Sequence, residues 1–358
     1  MQRFALALGL GAVFVFLALA VSIRQAVLLL VGVGMGMALA GARFGFTTGW
    51  RQLIEHKDPQ GVAGQLLLLA LASLAALPLL ATFPELHAAL GPPSVSLLVG
   101  AFVFGLAMQL ADGCGSGTLY KAGLGVPLNM AILPLFALGS FLGSVHLQHW
   151  LALGQIDPVG LGTALGTPAA LALTLALLGL VLLLVRVWVG PQRQWLARRW
   201  VWGAIVLAVL ATLNLLLAGQ PWGVVYGFGL WAGKLALAAG WFDAGQNMFW
   251  GQAGNAQRLG ETVLMDVTSI TNLGILGGAF WIAARQPATA ARPLARQQWV
   301  VGLIAGFVLG YSSRLAFGCN IGAMLSGIST GSLHGWLWVP LAFAGSLVGV
   351  RVRRHYRF

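Results

Sequence analysis

The only two cysteines of the chain lie in near-copies of one motif. Cys114 stands in Leu-Ala-Asp-Gly-Cys-Gly-Ser-Gly, and Cys319 stands in Leu-Ala-Phe-Gly-Cys-Asn-Ile-Gly. A neutral thiol is a weak donor and a soft acceptor, and weak contacts suit a path on which an ion must bind and then leave. Because neither cysteine belongs to a Cys-x-x-Cys motif or to a Cys/His metal spacing, we predict neither thioredoxin-type chemistry nor a metal site.

Four cations stand close to these motifs or inside other apolar segments: Arg43, Lys121, Lys234 and Arg314. Charged residues within a membrane are costly, so they indicate function by default. The alternative is that their long side chains reach an interface with water. Excess buried positive charge beside soft thiols predicts an anion that contains sulfur or selenium as the substrate.

Two acids and two glycines complete the candidate path. We expect Asp112 and Asp266 each to pair with a cation or to cap the start of a helix. Gly113 and Gly318 directly precede the cysteines and open glycine-rich stretches, so they are candidates for breaks in membrane helices. The alternative for such glycines is that they only allow helices to pack closely.

The composition places these residues in a membrane protein. Of the 358 residues, 59% are hydrophobic and 8% are charged, whereas soluble domains carry about 25% charged residues. Apolar runs long enough to cross a bilayer recur along the chain, and we predict about nine to eleven hydrophobic helices in an all-α integral membrane protein. Residues 1–22 resemble a signal peptide, but an uncleaved first helix is the favoured interpretation.

The net charge of +12 does not indicate nucleic-acid binding, because the cations cluster at predicted helix ends. This is the positive-inside pattern, and it predicts a cytoplasmic C-terminus in a bacterial inner membrane. The clusters are Arg193, Arg198 and Arg199; Arg285, Arg292 and Arg296; and Arg351, Arg353, Arg354 and Arg357.

The chain is predicted to be an internal duplication. Residues 105–117 match residues 310–322 at six of thirteen positions. A weaker match sets residues 36–50 against 227–241, with Arg43 on Lys234. We therefore predict two pseudo-symmetric, inverted halves, 1–190 and 191–358, forming one transport unit in which short re-entrant half-helices meet at the centre.

These motifs resemble the YeeE/YedE family of sulfur transporters over nearly the whole chain. The resemblance rests on Gly41-Ala-Arg-Phe-Gly-Phe-Thr-Thr-Gly-Trp-Arg51, Ala111-Asp-Gly-Cys-Gly-Ser-Gly-Thr-Leu-Tyr-Lys-Ala-Gly123 and Arg314-Leu-Ala-Phe-Gly-Cys-Asn-Ile-Gly-Ala323. It implies an hourglass-shaped helical protein of the inner membrane in which Cys114 and Cys319 relay thiosulfate. Where the family often has a third cysteine after Arg-Phe, this chain has Gly45, which puts a three-thiol relay in doubt.

The resemblance also implies a partner. Some relatives work with a small TusA-like sulfur-carrier protein on the cytoplasmic side, and others are linked to selenium metabolism. No nucleotide-binding lysine motif and no catalytic constellation stand out in the sequence, so we expect no enzyme activity and no cofactor.

The sequence thus predicts an importer of thiosulfate or a closely related sulfur-containing anion. Its path is expected to include Cys114 and Cys319, the four cations, and Gly113 and Gly318. The alternatives are a transporter of selenium or other sulfur species, a membrane sulfurtransferase or thiol oxidoreductase that uses the two cysteines, and a scaffold that recruits a sulfur carrier.

Overall fold

A computed structural model describes residues 2–190, 193–285 and 293–358. Arg292, one of the predicted interfacial cations, lies outside these residues. The described chain is helical and contains no β-strand. Its α-helices are α1 Gln2–Ala20, α2 Ile23–Gly41, α3 Phe46–His56, α4 Gln60–Thr82, α5 Val95–Leu110, α6 Gly115–Gly123, α7 Pro127–Leu151, α8 Leu161–Leu165, α9 Thr167–Val189, α10 Arg198–Ala218, α11 Val225–Ala238, α12 Ala253–Gly260, α13 Val267–Ala283, α14 Arg296–Leu315, α15 Gly327–Ser329 and α16 Leu333–His355. Two 3₁₀ turns, Ala244–Gln246 and Val263–Met265, and a π-helix, Asn320–Ser326, complete the elements.

The described residues include eight helical segments long and apolar enough to cross a membrane. Two shorter apolar helices, Phe4–Ala20 and Val267–Ala283, bring the number of apolar segments to ten. The prediction of an all-α integral membrane protein with about nine to eleven hydrophobic helices is therefore confirmed. Three of the eight segments contain a break: Ile23–His56, Val95–Gly123 and Arg296–Ser329.

Glycines join three pairs of parallel helices: α2 with α13, α5 with α16, and α7 with α14. A methyl group on Gly105 of α5 would collide with the carbonyl oxygen of Ala342 in α16. Likewise, a methyl group on Gly310 of α14 would collide with the carbonyl oxygen of Phe136 in α7. For these glycines the close-packing interpretation is correct, because backbone touches backbone across the pair.

Substitution of Gly345 tests this packing. The methyl group of Gly345→Ala would overlap with the carbonyl oxygen of Phe102. Because overpacking destabilises a protein, we expect the substitution to lower the free energy of unfolding by about 2–3 kcal/mol. Gly179→Ala is the matched control, because a methyl group there meets nothing within 4 Å. Thermal unfolding of the purified variants, followed by tryptophan fluorescence, measures the difference. Equal melting temperatures would contradict the packing argument.

Seven of the described helices end in the same backbone turn, and four of these turns lie in or beside the predicted half-motifs. Arg43, Asp112, Gly240 and Phe317 follow α2, α5, α11 and α14, and their φ angles are 50°, 54°, 71° and 57°. In each turn the next residue donates its N–H to the carbonyl five residues back, as Gly113 does to Met108 at 3.1 Å. This is a Schellman motif, which ends a helix through a left-handed residue.

Three of the four turns in or beside the half-motifs lead directly into a new helical segment. Gly45, Cys114 and Cys319 each stand two residues after the left-handed residue and occupy the N-cap of α3, α6 and the π-helix, respectively. The predicted broken helices therefore exist at both cysteines. Gly45 takes the same local position as the cysteines, so the same kind of turn carries a thiol in two places and a glycine in the third.

The repeat alignment matched Arg43 with Lys234, but the two residues do not occupy equivalent positions in their helices. Arg43 follows the end of α2, whereas Lys234 lies inside α11, and the turn after α11 is formed by Gly240. The left-handed turn recurs after α2 and after α11, but the position of the cation does not. The two halves, 1–190 and 191–358, and their inverted pseudo-symmetry stay predictions.

One end of the bundle is rich in cations. The ends of α3 and α16 meet there, where Arg354 Nε donates to Glu55 Oε1 at 3.0 Å, and Gln298 at the start of α14 donates to the carbonyl oxygen of Tyr356 at 3.2 Å. At the opposite end, Arg24 donates to the last carbonyl groups of α10. We call the first end the cation-rich face; it also carries Arg51, Lys57, Lys121, Arg198, Arg296 and Arg353.

Candidate functional site

The two cysteine motifs meet inside the protein. A methyl group on Gly115, the residue after Cys114, would lie 3.0 Å from Cys319 Sγ and 3.5 Å from a methyl carbon of Val225. We call the residues Cys114, Gly115, Cys319 and Val225 the cysteine junction. Both cysteines are free thiols and are 0% exposed. The structure thus brings together two residues that are 205 positions apart, as the duplicated motif led us to expect.

Each thiol caps the segment that it begins. The Gly117 N–H donates to Cys114 Sγ at 3.4 Å, and the Ile321 N–H donates to Cys319 Sγ at 3.4 Å. Helix N-termini present unpaired N–H groups and a partial positive charge. The start of α11 at Val225 joins the same junction. Several positive helix ends therefore converge beside two soft sulfur atoms, an arrangement suited to an anion.

Gly113 and Gly318 allow the turns that place the thiols. A methyl group on Gly113 would lie 2.7 Å from the nitrogen of Thr118, and one on Gly318 would lie 2.5 Å from the nitrogen of Ala323. Gly318 also has a φ of 149°, which favours glycine. Both glycines lie against the first turn of the segment that follows, so a side chain at either position would displace the cysteine.

Arg314 lies five residues before Cys319. Its Nε donates to Ser144 Oγ at 2.8 Å, and its guanidinium carbon lies 4.9 Å from the ring centre of Phe249 and 5.7 Å from that of Tyr226. Among the described residues no carboxylate pairs with it. A half-buried guanidinium held by a hydroxyl group and two aromatic rings keeps its charge available to an anion.

Lys121 belongs to an ion cluster around Asp112. The carboxylate accepts from Lys121 Nζ at 2.6 Å and Arg51 Nη1 at 2.7 Å, and it lies 3.3 Å from Arg353 Nη2. The expectation that Asp112 pairs with a cation is confirmed. The sequence analysis did not name which cation this would be, and it missed Arg51 and Arg353 as site residues, although Arg51 closes the first family motif and Arg353 follows the apolar run of the last helix.

Among the described residues, neither Arg43 nor Lys234 forms a hydrogen bond or ion pair with the cysteine junction. Arg43 is exposed, so it fits the alternative of a side chain that reaches water. Lys234 Nζ donates to the carbonyl oxygen of Leu259 at 2.8 Å and to that of Glu261, and it thereby holds the end of α12. Asp266 caps the start of α13, since its Oδ2 accepts from the N–H of Ser269 at 2.7 Å.

Polar groups stand at the turn that carries Gly45. A methyl group on Gly45 would lie 3.3 Å from the hydroxyl oxygen of Tyr120. The hydroxyl oxygen of Thr47, which is buried two residues further along α3, makes no hydrogen bond of normal geometry in the described part of the chain, although it lies near the Cys114 thiol. Hydroxyl groups therefore stand near the position at which the family often has its third thiol.

The sequence model of a family described as "Sulphur transport" matches residues 41–348. "Thiosulfate transporter TsuA" of Escherichia coli is 24% identical over 353 residues, which cover 88% of this chain and 92% of that protein. "Thiosulfate transporter TsuA" of Spirochaeta thermophila is 26% identical over 261 residues, 68% of this chain and 73% of that protein.

"Probable transporter YedE" of Salmonella typhimurium is 30% identical over 167 residues, 46% of this chain. The match spans only about two fifths of that relative's own length. These relatives are named as transporters and not as enzymes, and the family model covers the whole region from the first glycine-rich turn to the last apolar helix. The resemblance seen in the cysteine motifs is thus confirmed, and the chain belongs to the sulphur transport family.

Proposed function

We propose that this protein imports thiosulfate, or a closely related sulfur-containing anion, through the cysteine junction. The observation that carries the proposal is the contact of Cys319 Sγ with Gly115, beside Cys114. It supports the proposal because two thiols, each at a helix N-terminus, would lie within reach of one small anion. The names of the TsuA relatives supply the choice of thiosulfate.

The chemistry at the junction fits such an anion. Thiosulfate has a soft terminal sulfur, which can accept a weak S–H hydrogen bond, and hard oxygens, which can accept from backbone N–H groups. The helix N-termini stabilise its negative charge without adding an immobile counter-charge. Because each contact is weak, the anion can pass from Cys319 to Cys114 rather than stay bound.

We infer the order in which the anion would meet these residues from their positions in the fold. Arg314 precedes the junction on one side and would attract the anion. Cys319 and Cys114 would contact it in turn, and the Asp112 cluster on the cation-rich face would meet it last. Since both thiols are buried, transport requires the glycine-containing turns around them to open. Arg43 and Lys234, predicted as path residues, would act only at long range.

We place the cation-rich face in the cytoplasm of a bacterium whose inner membrane holds the protein, because Lys and Arg favour the cytoplasmic side. The C-terminus lies on this face, where Arg353 contacts the Asp112 cluster. The small TusA-like carrier expected from the resemblance stays a prediction, and its docking surface would be this face.

Uptake of ³⁵S-labelled thiosulfate into liposomes that contain only the purified protein tests the proposal. We expect uptake that unlabelled thiosulfate abolishes, whereas sulfate, sulfite and selenium anions added as competitors define the range of substrates. A membrane scaffold would move no anion. A persulfide or a Cys114–Cys319 disulfide found by mass spectrometry after exposure to thiosulfate would support the thiol enzyme instead.

A further inference from the structure

The carboxylate of Asp112 lies at the centre of three cations on the cation-rich face. Arg51, Lys121 and Arg353 approach it to within 2.7, 2.6 and 3.3 Å. The cluster therefore carries two more positive charges than negative ones. The side chains are 14–25% exposed, so the cluster is half-buried yet open to ions from the water on this face.

Two of the cations are held independently of the carboxylate. Arg353 Nη1 donates to the carbonyl oxygen of Gln109 at 2.8 Å. Lys121 Nζ donates to the main-chain carbonyl oxygen of Asp112 at 2.5 Å. The turn at Asp112 is fixed by its Schellman hydrogen bond. If the carboxylate rotated away, these cations would stay in place, and a different oxyanion could take its position.

We propose that the Asp112 carboxylate occupies an anion site and competes there with a small divalent oxyanion. A dianion would match the excess charge of the cluster better than one carboxylate does, through charge-assisted hydrogen bonds to guanidinium and ammonium groups. Because the carboxylate is covalently attached beside the site, it would compete with the bound anion at all times and would displace it. The site is thus a release station two residues from Cys114. Its place on the path rests on the proposed function, but its ability to bind an anion does not.

Binding of ³⁵S-labelled sulfate to the purified protein in nanodiscs of neutral lipid tests this proposal without any transport step. Asp112→Asn removes the competitor and keeps the three cations, so we expect at least about tenfold tighter binding. Arg353→Gln removes a cation and should weaken binding. Asp243→Asn is the control, since that carboxylate caps the N–H of Gly245 at 2.9 Å and forms no ion pair among the described residues; it should leave sulfate binding unchanged.

The opposite changes in sulfate affinity expected of Asp112→Asn and Arg353→Gln distinguish an anion site from an ion cluster that only stabilises the fold. If the cluster only joined the helices, both variants would lower the melting temperature and neither would change sulfate binding, which would overturn the proposal. If Asp112→Asn does not fold, Arg353→Gln and Lys121→Gln serve in its place, and unchanged sulfate binding in both would overturn it equally. Sulfate binding that is lost in nanodiscs of anionic lipid would assign the site to a lipid headgroup instead. Predicted binding without thiosulfate uptake would contradict only the proposed function.

Discussion

Cys319→Ala is expected to reduce thiosulfate uptake to the background of empty liposomes while the protein stays folded. The side chain is fully buried and caps the π-helix, yet its loss removes only one sulfur atom, which costs about 1 kcal/mol of stability. Transport, by contrast, would lose one of its two thiol stations. Uptake by the purified variant and growth of a bacterial strain that lacks its own thiosulfate uptake systems measure the effect.

The control for this variant is Thr174→Val, which changes another fully buried polar residue, on the peripheral helix α9. It should leave uptake unchanged. Cys319→Ser keeps the size of the side chain and replaces the sulfur, so we expect it to lose most of the uptake as well. Wild-type uptake in a folded Cys319→Ala protein would rule out the thiol relay, even if thiosulfate proved to be the substrate.

Gly115→Ala should block the path although both cysteines are retained. Its methyl group would lie 3.0 Å from Cys319 Sγ and 3.4 Å from Cys319 Cβ. It would therefore push the two motifs apart or fill the space between them. Overpacking of this kind costs about 1–3 kcal/mol, which corresponds to a loss of about five- to 150-fold in the rate or affinity that depends on the junction.

Gly117→Ala provides a control on the same half-helix. A methyl group there would lie 3.5 Å from Cys114 Sγ, which is an ordinary contact distance. No atom of Cys319 would lie within 4 Å of it. We expect nearly normal uptake from it. The same uptake assay and a melting curve compare the two variants. Equal uptake by both would show that the contact between Gly115 and Cys319 does not control the passage of the anion.

The sequence by itself determined the class of protein and indicated the two cysteines of the junction. Apolar runs long enough to cross a bilayer admit only helices, because every backbone polar group must be satisfied inside its own segment. The glycines before Cys114 and Cys319 indicated the breaks, since a residue without a side chain lets the chain turn closely against the segment that follows. The duplicated motif then predicted that the two thiols lie close together in the fold.

The tertiary structure alone decided which charges belong to the site. A cation in an apolar stretch can reach water, cap a helix or pair with a distant acid, and these outcomes look the same in the sequence. Arg43 is exposed and Lys234 holds the end of α12, whereas Arg353, far along the chain, reaches Asp112. Spacing along one helix predicts local neighbours, but contacts between distant helices depend on how their glycine faces pack. The partners of Asp112 and the setting of Arg314 could therefore be found only in the folded protein.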